Sequence, residues 1–476
     1  YQTAAELRAD LKRLKRDMES GAQPGAPKSG ATSRITDAAP AAREKSVAVL
    51  YFENLSGSKE DEYFRDGMTE DIITELSKIG KLRLFPRSEV LSFRDKAVTA
   101  PLVGQQLNAA YVLEGSIRRA GNRLRVTTQL VESATRHTVW AERYDRQMED
   151  VFAIQDEIAR AIAQALRIRL SPQEEMTVAQ KPTENLQAYD FYLRGRNYLR
   201  RENLEFALQM FEQAIKLDAN FALAHAGIAN VCGLTYDFRE QKPHWIERGL
   251  AAADRATAID PQLAEALAAR ARLHYSQRNY SDAIRYAQMA LERKPDCEGA
   301  YNVLGRAYFG SGQFAEAVRL VDRALEMNGD DYNVYIPFAL SLRQMGKGEA
   351  AKGLDARMMR ALEQQLELVP EDVRARILLA NTYASIGKTD DSARQLQTAV
   401  ALRPNDSNVL YNAACTYGLM AKKAEALDML RKTLEAGYSN LDWMARDPDL
   451  ACLHDDPDFE RLIARTPASS GKESPA

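Results

Sequence analysis

Residues 298–329 read EGAYNVLGRAYFGSGQFAEAVRLVDRALEMNG, and two helices are legible in them. Tyr301, Leu304, Gly305 and Tyr308 recur at the three- and four-residue spacing of one helical face. Gly310-Ser311-Gly312 interrupts the pattern with turn residues. Ala317 and Ala324 then mark a second helix, where only small side chains let two helices approach closely. The unit repeats. Helix ends followed by a turn fall at Ala219, Pro261, Pro295, Gly329, Pro370 and Pro404, in steps of 42, 34, 34, 41 and 34 residues.

A 34-residue period of helix–turn–helix units marks the tetratricopeptide (TPR) repeat, and the two longer steps are one period plus an insertion. The first repeat carries Phe191, Gly195, Tyr198, Ala207, Phe211 and Ala214 at matching positions; later ones keep Tyr383 with Ala399 and Tyr417 with Ala426. About seven repeats are expected over residues 183–438. Each would bury its apolar face only against its neighbours, so the array reads as a superhelical solenoid. Residues 439–465, with Trp443, Leu450, Leu453, Phe459 and Leu462, read as capping helices, and the polar residues 466–476 as a disordered tail.

Ahead of the array the pattern is different. Ser46–Tyr51 (SVAVLY) reads as a buried strand, Asp61–Ile79 as a helix ended by Gly80, and Lys81–Phe85 as a second strand. Strand, helix and strand fit a βαβ unit, which makes the two strands parallel. A short helix is expected over Val103–Asn108. Tyr111–Arg119 and Arg123–Val131 alternate around Ala120-Gly121-Asn122, a hairpin signal. Thr138–Tyr144 adds a strand and Val151–Leu170 a closing helix. The fold expected is a small α/β domain over 46–171 followed by an all-α TPR solenoid.

Composition excludes several function classes. The 476 residues carry a net charge of −3, with 45% hydrophobic and 28% charged residues, so the chain has no overall electrostatic attraction for nucleic acid. No apolar stretch is long enough to span a membrane. Cys232, Cys297, Cys415 and Cys452 form no C-x-x-C pair and read as buried free thiols of a reducing, cytoplasmic compartment. The five histidines form no metal-binding pattern, so no metal site is expected. G-x-G-x-x-G, V-A-I-K, H-R-D-x-x-x-x-N, D-F-G, Walker A and G-x-S-x-G are all missing, and neither catalytic nor cofactor-binding residues are assigned. The carboxylates Glu60, Asp61, Glu62, Asp66, Glu70 and Asp71 read as the solvated side and first turn of one helix, rather than as an acid–base or cation site.

Two resemblances bear on function. Residues 1–17, YQTAAELRADLKRLKRD, have apolar positions at helical spacing and a basic end. They resemble the last helix of the catalytic domain in bacterial eukaryotic-like serine/threonine protein kinases. That resemblance implies that 1–19 is the end of a kinase-like domain, joined by a Gly/Pro/Ser-rich flexible linker at 20–45. Residues 46–171 resemble the TolB-amino-terminal-like domain found behind such kinases and in some adenylate cyclases and transcription regulators. The residues that carry this are SVAVLYFENLSG, DEYFRDGMTEDIITELSKI, YVLEGSIRRAGNRLRVTTQLV and TVWAERYDRQMEDVFAIQDEIA. The resemblance implies a regulatory or sensory role, with ATP and Mg²⁺ expected only in the missing kinase domain.

In a TPR array the first helix of each repeat lines an inner groove. Aligning the repeats places Arg196, Asn230, Arg272, Arg306, Leu340, Asn381 and Cys415 at one groove-facing position, with Asn302 one turn before Arg306. Arginine forks and asparagine amides suit carboxylates and extended peptide backbone. Arg196, Asn230, Arg272, Asn302, Arg306 and Asn381 are therefore the candidate groove for a peptide or protein partner, or else they only bond neighbouring helices. The function expected is a non-catalytic regulatory and interaction region of a kinase. The alternatives are a ligand-binding or enzymatic α/β domain, or the tail of a transcription regulator or adenylate cyclase. Nothing in the sequence fixes an oligomeric state.

Overall fold

The computed structural model describes residues 45–58, 61–178, 181–438, 441–445 and 447–465. The helix expected over the first 19 residues, the linker at 20–45 except its last residue, and the tail at 466–476 lie outside them.

The apolar run at Ser46 becomes strand β1 (Ser46–Val49), buried along its whole length. It pairs in parallel with β3 (Arg83–Leu84) on one side and β4 (Tyr111–Ala120) on the other, which is the βαβ arrangement expected from the sequence. A two-residue strand, β2 (Glu53–Asn54), adds in parallel to β4. β4, β5 (Arg123–Glu132) and β6 (Thr138–Gln147) form an antiparallel meander, in the order β3-β1-β4-β5-β6. Gly121 turns the β4–β5 hairpin at φ +59°, a left-handed conformation that glycine adopts without strain.

Helix α1 (Glu62–Ser77) follows β2, and α2 (Arg87–Val90) and α3 (Ala100–Leu107) connect β3 to β4. After β6 come α4 (Val151–Ala165) and α5 (Pro172–Val178). α1 and α4 cover one face of the sheet through Phe64, Met68, Ile72, Ile154, Ile158 and Ile162. Val90, Phe93 and Val103 close part of the other face, together with Leu368 from the solenoid.

The solenoid has seven helix pairs among the described residues. They are α6/α7 (Leu186–Arg200, Leu204–Leu217), α8/α9 (Ala222–Phe238, Pro243–Ile259) and α10/α11 (Ala264–Ser276, Tyr280–Arg293). Next is α12 (Ala300–Gly310), whose partner is split into α13 (Phe314–Arg319) and α14 (Val321–Asn328). α15/α16 (Tyr332–Gln344, Gly348–Leu368), α17/α18 (Val373–Ser385, Thr389–Leu402) and α19/α20 (Ser407–Leu419, Lys423–Glu435) complete the array. All six breaks read from the sequence fall between pairs. The longer steps appear as longer helices, the 21-residue α16 among them. The small positions act as expected: a Cβ on Gly195 or on Gly227 would lie under 3 Å from the Phe211 ring, which both helices clasp. Leu450, Leu453 and Phe459 are buried against the last repeat, as a cap requires.

The hydrophobic core does not stop at the domain boundary. One cluster runs from Val47 and Met68 through Tyr189, Leu193 and Phe211 to Leu273. α1 meets α6 at Gly67, where an added Cβ would stand 2.5 Å from Leu193 Cδ2. The sequence boundary near residue 183 is thus a change of pattern, not a gap in packing. Gly67→Val is expected to destabilise the chain by roughly 1–3 kcal/mol through overpacking. A lower urea midpoint than wild type would show it; an unchanged midpoint would mean that the helices separate freely there.

Candidate functional site

The helix α1 carboxylates, read as a solvated face, are not all in solvent. Asp66 and Glu70 are buried, because α1 packs against α6 and the segments after β1 and β3, where Arg94 meets Asp66 at 3.1 Å. Glu70 is the centre of the contact. Its Oε1 accepts from the Tyr51 hydroxyl at 2.9 Å and from Arg87 Nε at 3.2 Å. Its Oε2 accepts from Arg196 and Arg200, each at 2.6 Å. Arg87 also pairs with Asp330, and Arg200 lies 3.6 Å from Glu298. Arg196 reaches Asp71 at 3.6 Å, and Asp71 accepts from the Tyr189 hydroxyl. Burial alone would push the Glu70 carboxyl up, but Arg200, Arg196 and Arg87 outweigh it and hold the group well below the usual carboxylate range. Asp71 moves the other way: burial raises it, and Arg196 and Tyr189 only partly oppose.

A second polar knot fixes the same joint. Asp190 at the start of α6 accepts from Tyr63 at 2.6 Å, Arg119 at 3.0 Å and Arg194 at 2.9 Å. On the far side, Ser88 of α2 donates to the Glu326 carbonyl at the end of α14. The α/β domain therefore grips the first repeat and the edge of the fourth together.

The solenoid also closes on itself. The turns after α6 and α8 meet the later repeats: Arg201 pairs with Glu371 at 3.1 Å and Arg239 with Asp406 at 3.6 Å. The Tyr332 hydroxyl lies 3.3 Å from the Glu202 carboxylate and 3.4 Å from that of Asp372. Arg374 stands 3.7 Å from Glu202 and stacks on Phe238. Burial, reinforced by Asp372, pushes Glu202 up to about 7, against the pull of Arg374 and Arg239.

The six groove residues have the following places. Arg196 faces Glu70 and Asp71. Asn230 accepts from Arg272 Nε at 3.2 Å, and Arg272, buried, lies 3.7 Å from Asp237. Asn302, also buried, donates to the Asn333 carbonyl at 2.6 Å and accepts from Arg306 at 3.3 Å. Asn381 accepts from Thr416. The structure brings Asn230 to Arg272 and Asn302 to Arg306, while Arg196 and Asn381 bond elsewhere. Arg306 is half-buried. Sequence reasoning passed over Arg200, although it sits one turn beyond Arg196 on the same face. It read Glu70 as solvated, because a partner, Arg196, lies 126 residues away.

Cys232, Cys297 and Cys415 are buried and free, and Cys452 is half-buried and free. Cys415, Asp447 and Asp449 place one donor atom each within 4.8 Å of one another. Asp447 already accepts from Tyr411 at 2.6 Å and from the Asp449 amide at 3.0 Å, which explains it as a cap of the turn that follows. No helix among the described residues is long and apolar enough to cross a membrane.

The tetratricopeptide-repeat family model matches residues 246–298 and 268–332. The model for the second domain of HilA/YgeH-like transcriptional regulators matches residues 43–161. The chain is 40% identical over 199 residues to the protein named "Putative adenylate cyclase 3" in Rhizobium meliloti (strain 1021), across 41% of this chain and 34% of that protein. It is 28% identical over 116 residues to superkiller protein 3 of Schizosaccharomyces pombe, across 24% of this chain and 8% of that one. The chain thus spans about a third or less of the length of these relatives. Among solved structures, a thermophilic TPR protein of Thermus thermophilus is 21% identical with a TM-score of 0.31, covering 40% of this chain and 98% of that one. The helical part of the chain is a TPR solenoid preceded by a small α/β domain.

Two predictions test the joint and the closure of the solenoid. Glu70→Ala leaves three half-buried arginines without their shared carboxylate and is expected to cost about 1–3 kcal/mol, read as a fall in thermal midpoint; a change within error would place the cluster in solvent. Glu202 has a raised folded-state pKa, so the folded chain binds its proton more tightly than the unfolded chain does. Its contribution to stability is then greatest below the ordinary glutamate value and is lost as pH rises toward about 7. Glu202→Gln is expected to flatten that decline and to raise the midpoint at pH 8 relative to wild type. A wild-type and variant pair with parallel pH profiles would contradict this.

Proposed function

We propose that this chain is a non-catalytic regulatory and protein-interaction region of a bacterial signalling protein. Its TPR solenoid takes a peptide or protein partner, and its α/β domain relays that event to the rest of the protein. The observation that carries this reading is the shared core and ion cluster at the first repeat. A partner that shifts α6 must disturb Glu70, and with it α1 and the sheet. TPR arrays serve as extended binding surfaces rather than as catalysts, which supports the interaction role. Arg306, half-buried and held by the buried Asn302, suits a carboxylate-bearing partner. The region needs no cofactor of its own and works in the cytoplasm.

In the finer form of this reading the parent is a serine/threonine kinase, as the resemblance of residues 1–17 implies. A second reading makes the parent an adenylate cyclase or a transcription regulator; the Rhizobium relative and the HilA/YgeH-like match over 43–161 favour it. Sequencing the DNA upstream of the Tyr1 codon separates the two. H-R-D-x-x-x-x-N and D-F-G in frame support the kinase. A cyclase or DNA-binding domain supports the second reading and removes the first.

The interaction role has its own test. Fluorescence anisotropy with a labelled hexaglutamate carrying a free C-terminus is expected to show saturable binding. Arg306→Ala should weaken that binding about tenfold, the loss of roughly one charge-assisted hydrogen bond. Equal affinity of wild type and variant, both folded by circular dichroism, would remove Arg306 from the account.

A further inference from the structure

β6 is a ten-residue strand at the end of the sheet, and β5 is its one neighbour among the described residues. In an antiparallel strand every second residue points both its N–H and its C=O outward. Among the described residues no hydrogen bond outside the β5 ladder reaches the backbone of residues 138–147. The opposite edge, β3, is only two residues long. The one register shift lies at Leu130/Val131, so Trp140–Gln147 runs regularly along β5. Neither proline nor lysine interrupts this edge, and a long regular edge is a template for pairing with another chain.

The sequence of the edge says which chain. Glu142-Arg143-Tyr144-Asp145-Arg146 is charge-antisymmetric about Tyr144. We infer that β6 pairs antiparallel with β6 of a second copy, centred on Tyr144, so that two sheets become one. A two-fold axis perpendicular to the sheet keeps core faces on one side and requires paired residues to be an even number of positions apart. With Tyr144 opposite itself, Glu142 faces Arg146 and Arg143 faces Asp145, each twice by symmetry. Moving the centre to Glu142, Arg143, Asp145 or Arg146 sets a charge against its own copy. Opposite charges directly across a strand pair are favourable and like charges are not.

The groups are poised for this. Glu142, Arg143 and Arg146 are exposed, and neither arginine forms an ion pair among the described residues. Asp145 already holds Arg125 at 2.5 Å and lies 3.4 Å from Arg123. The Glu142–Arg146 pair, with no competing ion pair, is therefore the sharper handle.

Sedimentation velocity of the full chain from about 1 to about 100 µM is the test, since a homodimer must respond to concentration. The wild type is expected to show a reversible monomer–dimer equilibrium. Glu142→Arg and Arg146→Glu should each raise the dissociation constant at least tenfold. The double variant Glu142→Arg/Arg146→Glu should recover it, because the register sets those two positions opposite each other. All three changes are at exposed sites, and far-UV circular dichroism checks the fold; Arg146→Gln replaces a reversal that fails to fold. A wild type that stays monomeric overturns the proposal. So does a dimer indifferent to the single reversals, or a double variant no tighter than the weaker single one.

Discussion

A single carboxylate, that of Glu70, is taken out of water and surrounded by the hydroxyl of Tyr51 and the forks of Arg87, Arg196 and Arg200. Desolvating a charge is costly, and removing several together is tolerable only when each finds its partner with good geometry. The cluster therefore constrains more than it stabilises. Any other docking of the α/β domain on the solenoid leaves three guanidinium groups without their shared acceptor. The close approach at Gly67 and Leu193 imposes the same arrangement sterically. Apolar packing supplies the attraction; the ions select one pose from the many that packing alone would allow.

Much of this fold was legible from local pattern. Tyr301, Gly305 and Ala317 report helix faces and helix contacts because both are set within one repeat. The breaks at Pro261, Pro295 and Pro404 were readable for the same reason, and Gly121-Asn122 announced the hairpin. What escaped was non-local. β2 is two residues long and exists only through its pairing with β4. Glu70 sits on a helix with many charges, and a charged helix looks solvated until the partner that covers it is known. The acceptor of Arg196 is on another domain, and charge pairing over such a distance leaves no period to detect. The self-closure of the solenoid, through Arg201, Glu202 and Arg239, is hidden for the same reason. Of the candidate groove, the residue types and the face were readable; which amides and arginines bond one another was not, because neighbouring helices set those distances.

Under the proposed function the joint is also the path between the partner and the α/β domain. The first repeat touches the α/β domain through α6 and the later repeats through the turn that follows it. It takes part in both contacts. On that proposed reading, a partner seated on the solenoid and an event in the α/β domain act on the same helix. Coupling of this kind needs no moving hinge at the binding site. It needs only that α1 and α6 open together rather than one at a time.

That requirement is open to direct measurement by native-state hydrogen exchange, following the amides of α1 (Glu62–Ser77) and α6 (Leu186–Arg200) in the intact chain under increasing denaturant. The account predicts that the two helices exchange with the same opening free energy and the same denaturant dependence, as one cooperative unit. Exchange of α1 at a clearly lower free energy than α6 would contradict it, and would make the α/β domain an independent body resting on the solenoid.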